Sequence, residues 1–319
     1  MLPVCKTPMG LPGNQSRPAR ANHLDQVGDK KRVLRFWQTA KIGENGHALE
    51  YMQFGGDHLR PLVFLTSIEY PVAPPWGFCI DAANAGFGVF SIRRPGFGAS
   101  DTVTSVDQQA AVIEAFFDEG GLENITLVAV GSANPVGARL ALKSRRVTFS
   151  VFANCVFNRD VMGEFRPAWF GRLLSQTTES RAGARISLGA IRQAGRQFGS
   201  QWFYQTCFQK SPGDVSYVKT FPREMAEAWE VASAISTETY QQELYPSLKG
   251  DPFLRDGLFS SVPCLAISGL ETTETWKTGF EAEANRLGIP VSYLSSGDIL
   301  VPYQSGTELL TLLKTKVAA

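Results

Sequence analysis

Histidine is scarce in this sequence of 319 residues: His23, His47 and His58 are the only three, and all precede residue 60. The rest of the chain has no imidazole, the side chain that most readily exchanges a proton near neutral pH. Cysteine offers no framework either. Cys5, Cys79, Cys155, Cys207 and Cys264 are odd in number, widely spaced and without a Cys-x-x-Cys pair. That pattern excludes a disulfide scaffold and a thiolate metal site, and it fits reduced core thiols in a cytoplasmic protein. No metal and no cofactor is expected. An excess of one charge is missing as well: 31 Lys and Arg face 30 Asp and Glu, for a net +1 and a pI near 7.6. Nucleic-acid binding is excluded on that balance, because it needs clustered basic surface. No apolar run approaches the roughly 20 residues of a membrane span, and the first residues lack the apolar core of a secretory signal.

What is present is the composition of a soluble globular chain, 44% hydrophobic and 19% charged, long enough for one large core with an insertion. Residues 1–32 are rich in Pro, Gly, Asn, Arg and Lys without apolar periodicity and read as a flexible arm. Strands are expected from Val33 to Ile42 and from Ala48 to Phe54, joined by the hairpin signal Gly43-Glu-Asn-Gly46. The continuous apolar runs Pro61–Leu65 and Gly88–Ile92 are of the kind buried on both faces of a parallel sheet. Further strands fit Thr126–Val130, Ser150–Cys155, Cys264–Ser268 and Val291–Leu294, and Val106, Ala110, Ile113 and Phe117 recur at helical spacing. Short apolar strands alternating with helices predict an α/β fold with a mostly parallel central sheet and flanking helices. A long helical stretch, residues 157–258, interrupts that alternation and is rich in aromatics, Trp169 among them, enough to line an apolar pocket or to pack the insertion onto the sheet.

Several segments then resemble the α/β-hydrolase family, over roughly residues 42–316. Arg94-Pro-Gly-Phe-Gly-Ala-Ser100 is similar to the family's D-R-P-G-F-G-x-S loop, with Arg93 in place of the aspartate. Ile125–Val130 followed by Gly131-Ser-Ala-Asn-Pro135 looks like the strand and nucleophile elbow, G-x-S-x-G, with Ala133 where the serine belongs. Val262–Gly269 looks like the strand before the acid loop. The resemblance implies a core of residues 33–156 and 259–319 carrying a helical lid at 157–258. It also places the triad acid at Thr272, beside Glu271, and the triad histidine at Asp298. The His-Gly pair that serves the oxyanion hole falls at Thr66-Ser67.

Acyl transfer through serine needs an attacking oxygen, a base and an orienting acid, and Ala133, Asp298 and Thr272 supply none of them. Ser132 stands one residue early and out of frame. Asn134 and Pro135 suit the N-cap and first position of a helix, and the proline disfavours helical backbone at Asn134, so an ordinary capped helix start is expected there. Such an end still offers N–H groups to an anion or a carbonyl oxygen. His58, in the turn before the third strand, and His47, beside the hairpin, lie at the wrong ends to replace the missing base.

Asp298 is the one candidate catalytic side chain, as a general base activating water in apolar surroundings. The alternative is a structural ion pair, for example with Arg93. Thr66, Ser67, Arg93, Ser132, Ala133, Asn134, Glu271 and Trp169 are the candidates for lining a ligand pocket. Arg181, Arg185, Arg192 and Arg196 form a basic stripe on the insertion, suited to an acidic partner or to solvent. The expected role is non-catalytic: binding a small apolar or carbonyl-containing ligand, or regulating a protein partner. A divergent ester or amide hydrolase using Asp298, or a structural subunit, are the other readings.

Overall fold

A computed structural model describes residues 37–317 except 66, 69, 72, 155–175 and 177–178. The expected arm at 1–32, Thr66 and Trp169 lie outside the described residues.

Eight strands form one sheet: β1 (Gln38–Ile42), β2 (His47–Phe54), β3 (Arg60–Leu65), β4 (Phe87–Arg93), β5 (Ile125–Val130), β6 (Val147–Ala153), β7 (Cys264–Gly269) and β8 (Val291–Leu294). Their spatial order is β1-β2-β4-β3-β5-β6-β7-β8. The β1–β2 and β2–β4 pairs are antiparallel and every later pair is parallel. The hairpin expected at Gly43–Gly46 forms, both glycines taking positive φ (69° and 60°) and Gly46 N donating to Gly43 O at 2.9 Å. β4, β5 and β7 are buried along their whole length, which is why they read as uninterrupted apolar runs.

Alternation along each strand separates two cores. In β5, Leu127 and Ala129 face one side with Val63 and Leu65 of β3, while Val128 and Val130 face the other with Leu62 and Phe64. The first face is covered by α2 (Val106–Glu119) and α3 (Asn134–Lys143), through Ile113, Phe116, Val136 and Leu140. The second is covered by α1 (Trp76–Asn84) and a C-terminal helix, Gly306–Val317.

Between β6 and β7 the described residues form α4 (Arg181–Phe198), α5 (Ser200–Cys207), α6 (Pro212–Thr220), α7 (Pro222–Ala234) and α8 (Thr237–Lys249). They are tied to the rest of the molecule by a third apolar cluster in which Ala184, Leu188, Val231 and Tyr240 meet Trp37, Met52 and Phe97. The last elements are α9 (Glu274–Leu287), a short turn of helix α10 (Val301–Gln304) and α11, the C-terminal helix already given. Among the described residues no helix is long and apolar enough to cross a membrane. Cys79 and Cys264 are buried and in no disulfide, as expected of core thiols, and burial pushes the Cys264 thiol up to about 12; Cys207, the last residue of α5, is in no disulfide either but is exposed.

Candidate functional site

β5 ends at Val130, and Gly131, with a positive φ of 50°, turns the chain into a single 3-10 turn, Gly131–Ala133, and then directly into α3. Ala133 (φ −81°, ψ −14°) and Asn134 (φ −56°, ψ −39°) both have helical backbone. The expected N-cap at Asn134 is therefore not formed, and the proline after it does not keep it out of the helix. Its side chain explains why: Asn134 Nδ2 donates to the carbonyls of Gly131 and Ala153, each at 2.9 Å, and the second bond reaches across to the end of β6. Two hydrogen bonds, one of them tertiary, offset the local bias against helix before proline. A nucleophile elbow holds its nucleophile exposed on a strained turn. Here the Ala133 methyl is fully buried in the core beneath α2 and α3, on relaxed backbone.

The neighbouring serine is not free to react. Ser132 Oγ donates to Glu243 Oε2 at 2.5 Å, lies 3.1 Å from Ser67 Oγ and accepts from Ile68 N at 3.4 Å. Glu243 reaches the elbow from α8, where Thr239, Tyr240 and Glu243 form the buried stripe. Its two oxygens are gripped by the two terminal nitrogens of Arg94, whose Nη1 lies 2.9 Å from Glu243 Oε1 and also 2.9 Å from Gln109 Oε1. Arg94 is 0% exposed and Glu243 2% exposed, so this is a desolvated two-point ion pair on the very spot that faces the elbow. Sequence inspection missed Glu243. The available signal was an acidic residue at helical spacing from Tyr240 and Thr239, on the side of α8 that its apolar neighbours mark as inward.

Thr272 and Asp298, the positions at which the resemblance implies a triad acid and histidine, are hydrogen-bonded to each other: Thr272 Oγ1 donates to Asp298 Oδ1 at 2.7 Å. Ser268 Oγ lies 3.1 Å from Thr272 Oγ1 and donates to Asn154 Oδ1 at 3.2 Å, and Asn154 Nδ2 in turn holds the carbonyls of Asp298 (2.8 Å) and Ile299 (2.9 Å). The two loops touch closely enough that a Cβ on Gly269 would lie 1.6 Å from the Gly297 carbonyl oxygen. Gly269→Ala must push the Asp298 loop away, and urea unfolding is expected to show a loss of about 2–3 kcal/mol.

Asp214, in the first turn of α6, is fully buried and accepts from the backbone N–H groups of Asp298 (3.3 Å), Ile299 (2.8 Å) and Leu300 (3.2 Å), and from Gln304 Nε2. Burial, and then the Asp298 charge, push its carboxyl up to about 7 against those N–H bonds. Glu271 makes the converse link. Burial raises its carboxyl, but bonds from Ser211 Oγ (2.8 Å) and Gly213 N (2.7 Å) outweigh that and leave it below its ordinary value. The acid loop thus caps α6, and α6 caps the loop into α10.

Arg93 does not meet Asp298. β4 and β8 are five strand spacings apart, about 24 Å, and Arg93 instead pairs with Glu50 (2.9 Å) and Glu227 (2.8 Å) under the Trp37 ring. His47 begins β2 and His58 is exposed in the turn before β3, so neither approaches the elbow. Of the sequence candidates, the structure brings Ser67 and Ser132 together beside Ala133, and Thr272, Glu271 and Asp298 together at the far loops. Among the described residues no group of His, Cys, Asp and Glu is arranged to hold a metal ion. A groove of 380 Å³ opens between Tyr245, Asp251, Leu254, Glu283 and Arg286, bordered by none of the candidates.

No family model matches the chain, and no curated protein does. Solved structures do. A bromoperoxidase from Bacillus anthracis superposes with a TM-score of 0.62 at 18% identity, over 89% of this chain and 100% of that one. An esterase from Exiguobacterium antarcticum gives 0.60 at 13% identity over 88% and 99%, and the Cif epoxide hydrolase from Acinetobacter nosocomialis 0.62 at 15% over 88% of each chain. Identities this low speak to the fold alone.

Proposed function

We propose that this chain, which has the α/β-hydrolase fold, carries Ala133, Thr272 and Asp298 at the triad positions of that fold, performs no serine-type hydrolysis and acts as a binding or regulatory partner. The buried Ser132–Glu243–Arg94 network carries this reading. Where a hydrolase needs an open cleft and an uncommitted hydroxyl, this molecule has a saturated ion pair. In this reading residues 157–258 are a lid held shut by α8. A small apolar or carbonyl-containing ligand would have to displace Glu243 to reach Ser132 and Asn134, which favours a protein partner over a ligand between lid and sheet.

Hydrolysis of short and medium acyl esters tests it. The wild-type protein is expected to turn over none of them above buffer. Ala133→Ser is expected to gain less than about tenfold, since no base stands beside the new hydroxyl. A second reading has one observation in its favour: Asp298 lies close enough to the buried Asp214, whose carboxyl accepts its backbone N–H at 3.3 Å, for its charge to help burial raise that carboxyl, so Asp298 sits in acid-rich, partly buried surroundings of the kind in which a carboxylate can activate water. Ester turnover that disappears in Asp298→Asn would establish that reading and end the first.

A further inference from the structure

Residues 180–213 hold five basic side chains and no Asp or Glu. Much of this acid-free segment is α4, whose rotation is fixed by close packing. Ala184 and Leu188 are buried, and Trp229 lies so near Gly195 that a Cβ there would sit 1.9 Å from its ring. The opposite face, from Arg181 through Arg185, Ile186 and Gly189 to Arg196, is exposed along the helix. Two of its arginines are spent on the fold: Arg181 pairs with Glu238, and Arg192 donates to the carbonyls of Ser233 and Ile235 at 2.6 Å. Arg185 and Arg196 have no ion pair or hydrogen bond among the described residues and point outward.

Apolar side chains stand out of the same ridge. Ile186 is 70% exposed, and at the corner between α4 and α5 Phe198 (52%) and Trp202 (44%) lean on each other with ring centroids 4.5 Å apart. We propose that this ridge docks on an anionic phospholipid surface, with Arg185 and Arg196 at the headgroups and Phe198 and Trp202 inserted beside them.

Three features select a lipid surface over an acidic polypeptide. The unpaired charges of the ridge are of one sign, the acid at its edge, Glu238, being taken up by Arg181, whereas protein interfaces set register with mixed charges. Its apolar points are separated: Ile186 and Phe198 are twelve residues apart, about 18 Å along the helix, which suits insertion into a plane and not a contiguous hot spot. It is convex, a single helix ridge with an aromatic corner, as in helices that lie on membranes with basic and aromatic side chains together. Since the ridge shares no residue with the closed cleft, the inference holds or fails independently of the proposed loss of hydrolysis.

The test is co-sedimentation of the purified full-length protein with vesicles of phosphatidylcholine alone and with about one-third phosphatidylserine. Binding is expected only to the anionic vesicles, weakening as salt rises from about 0.1 M to about 0.5 M. With about fivefold per basic side chain, Arg185→Gln with Arg196→Gln is expected to weaken partition about 25-fold, and Phe198→Ala with Trp202→Ala about tenfold or more. All four side chains are exposed, so both pairs are expected to keep the wild-type unfolding midpoint. Equal sedimentation with both vesicle types, or anionic binding undiminished by either pair, overturns the proposal. So does arginine-dependent binding to soluble polyglutamate without vesicle binding, which would assign the ridge to an acidic polypeptide.

Discussion

Replacing Glu243 by alanine is expected to destabilise the protein by about 3–5 kcal/mol, read as a lowered urea midpoint with little change in slope. The size follows from what stays behind. Arg94 is 0% exposed, and without Glu243 its charge loses both carboxylate oxygens and is left with neutral acceptors such as Gln109 Oε1, in surroundings that exclude water. Ser132 Oγ loses its acceptor at the same time. A cost far above that of an ordinary buried hydrogen bond is the signature of an uncompensated buried charge. The pair itself is a different matter, because desolvating both ions consumes most of their attraction. Arg94→Met combined with Glu243→Leu is therefore expected to recover most of the stability lost in Glu243→Ala. A single-variant loss below about 1 kcal/mol would show that the ion pair is hydrated, and the closed-cleft reading would fall with it.

Asp214 should make stability fall as the solution turns from acid to neutral. Its carboxyl ionises near 3.8 when unfolded and near 7 in the fold. Between those values the folded state holds a proton that the unfolded chain has lost. The contribution is complete below pH 3.8, declines as pH rises and is gone above about 7, a change on the order of 4 kcal/mol. Glu271, held below its ordinary value, has the opposite slope, so the group is isolated by difference. Asp214→Asn costs a roughly constant amount, since its amide nitrogen faces the Ile299 N–H, but it removes the titration. Urea unfolding from about pH 5 to about pH 8 is expected to show the variant losing much less stability than the wild type as pH rises. Parallel profiles would mean that Asp214 is ionised throughout, stabilised by its backbone donors, and would remove the support for the hydrolase reading of Asp298.

Much of the architecture was legible because the information is local. β3, β4, β5, β7 and β8 fall within a residue or two of the apolar runs that announce them, and the hairpin at Gly43–Gly46 needs only its glycines. The proposed loss of the triad rests on a similarly local reading. The end of β5 and the glycine after it set the frame, and within that frame alanine at 133 leaves the expected nucleophile position without an attacking oxygen. Even the elbow was half legible: the helix begins where Asn134 and Pro135 suggest, while its conformation follows a carbonyl on β6.

The sequence by itself thus determined the fold class and the positions of most strands, since each depends on periodicity or residue identity along a short stretch, and residue identity alone grounds the proposal that serine-type chemistry is lost. Only the tertiary structure decided what stands in the cleft instead. Glu243 is 149 residues from Arg94, Asp214 is 84 from Asp298 and Glu227 is 134 from Arg93. A helical period shows which face of α6, α7 or α8 turns inward, but which charge that face meets depends on how the inserted helices dock on the sheet. Docking is set by packing among distant residues, and no local pattern encodes it.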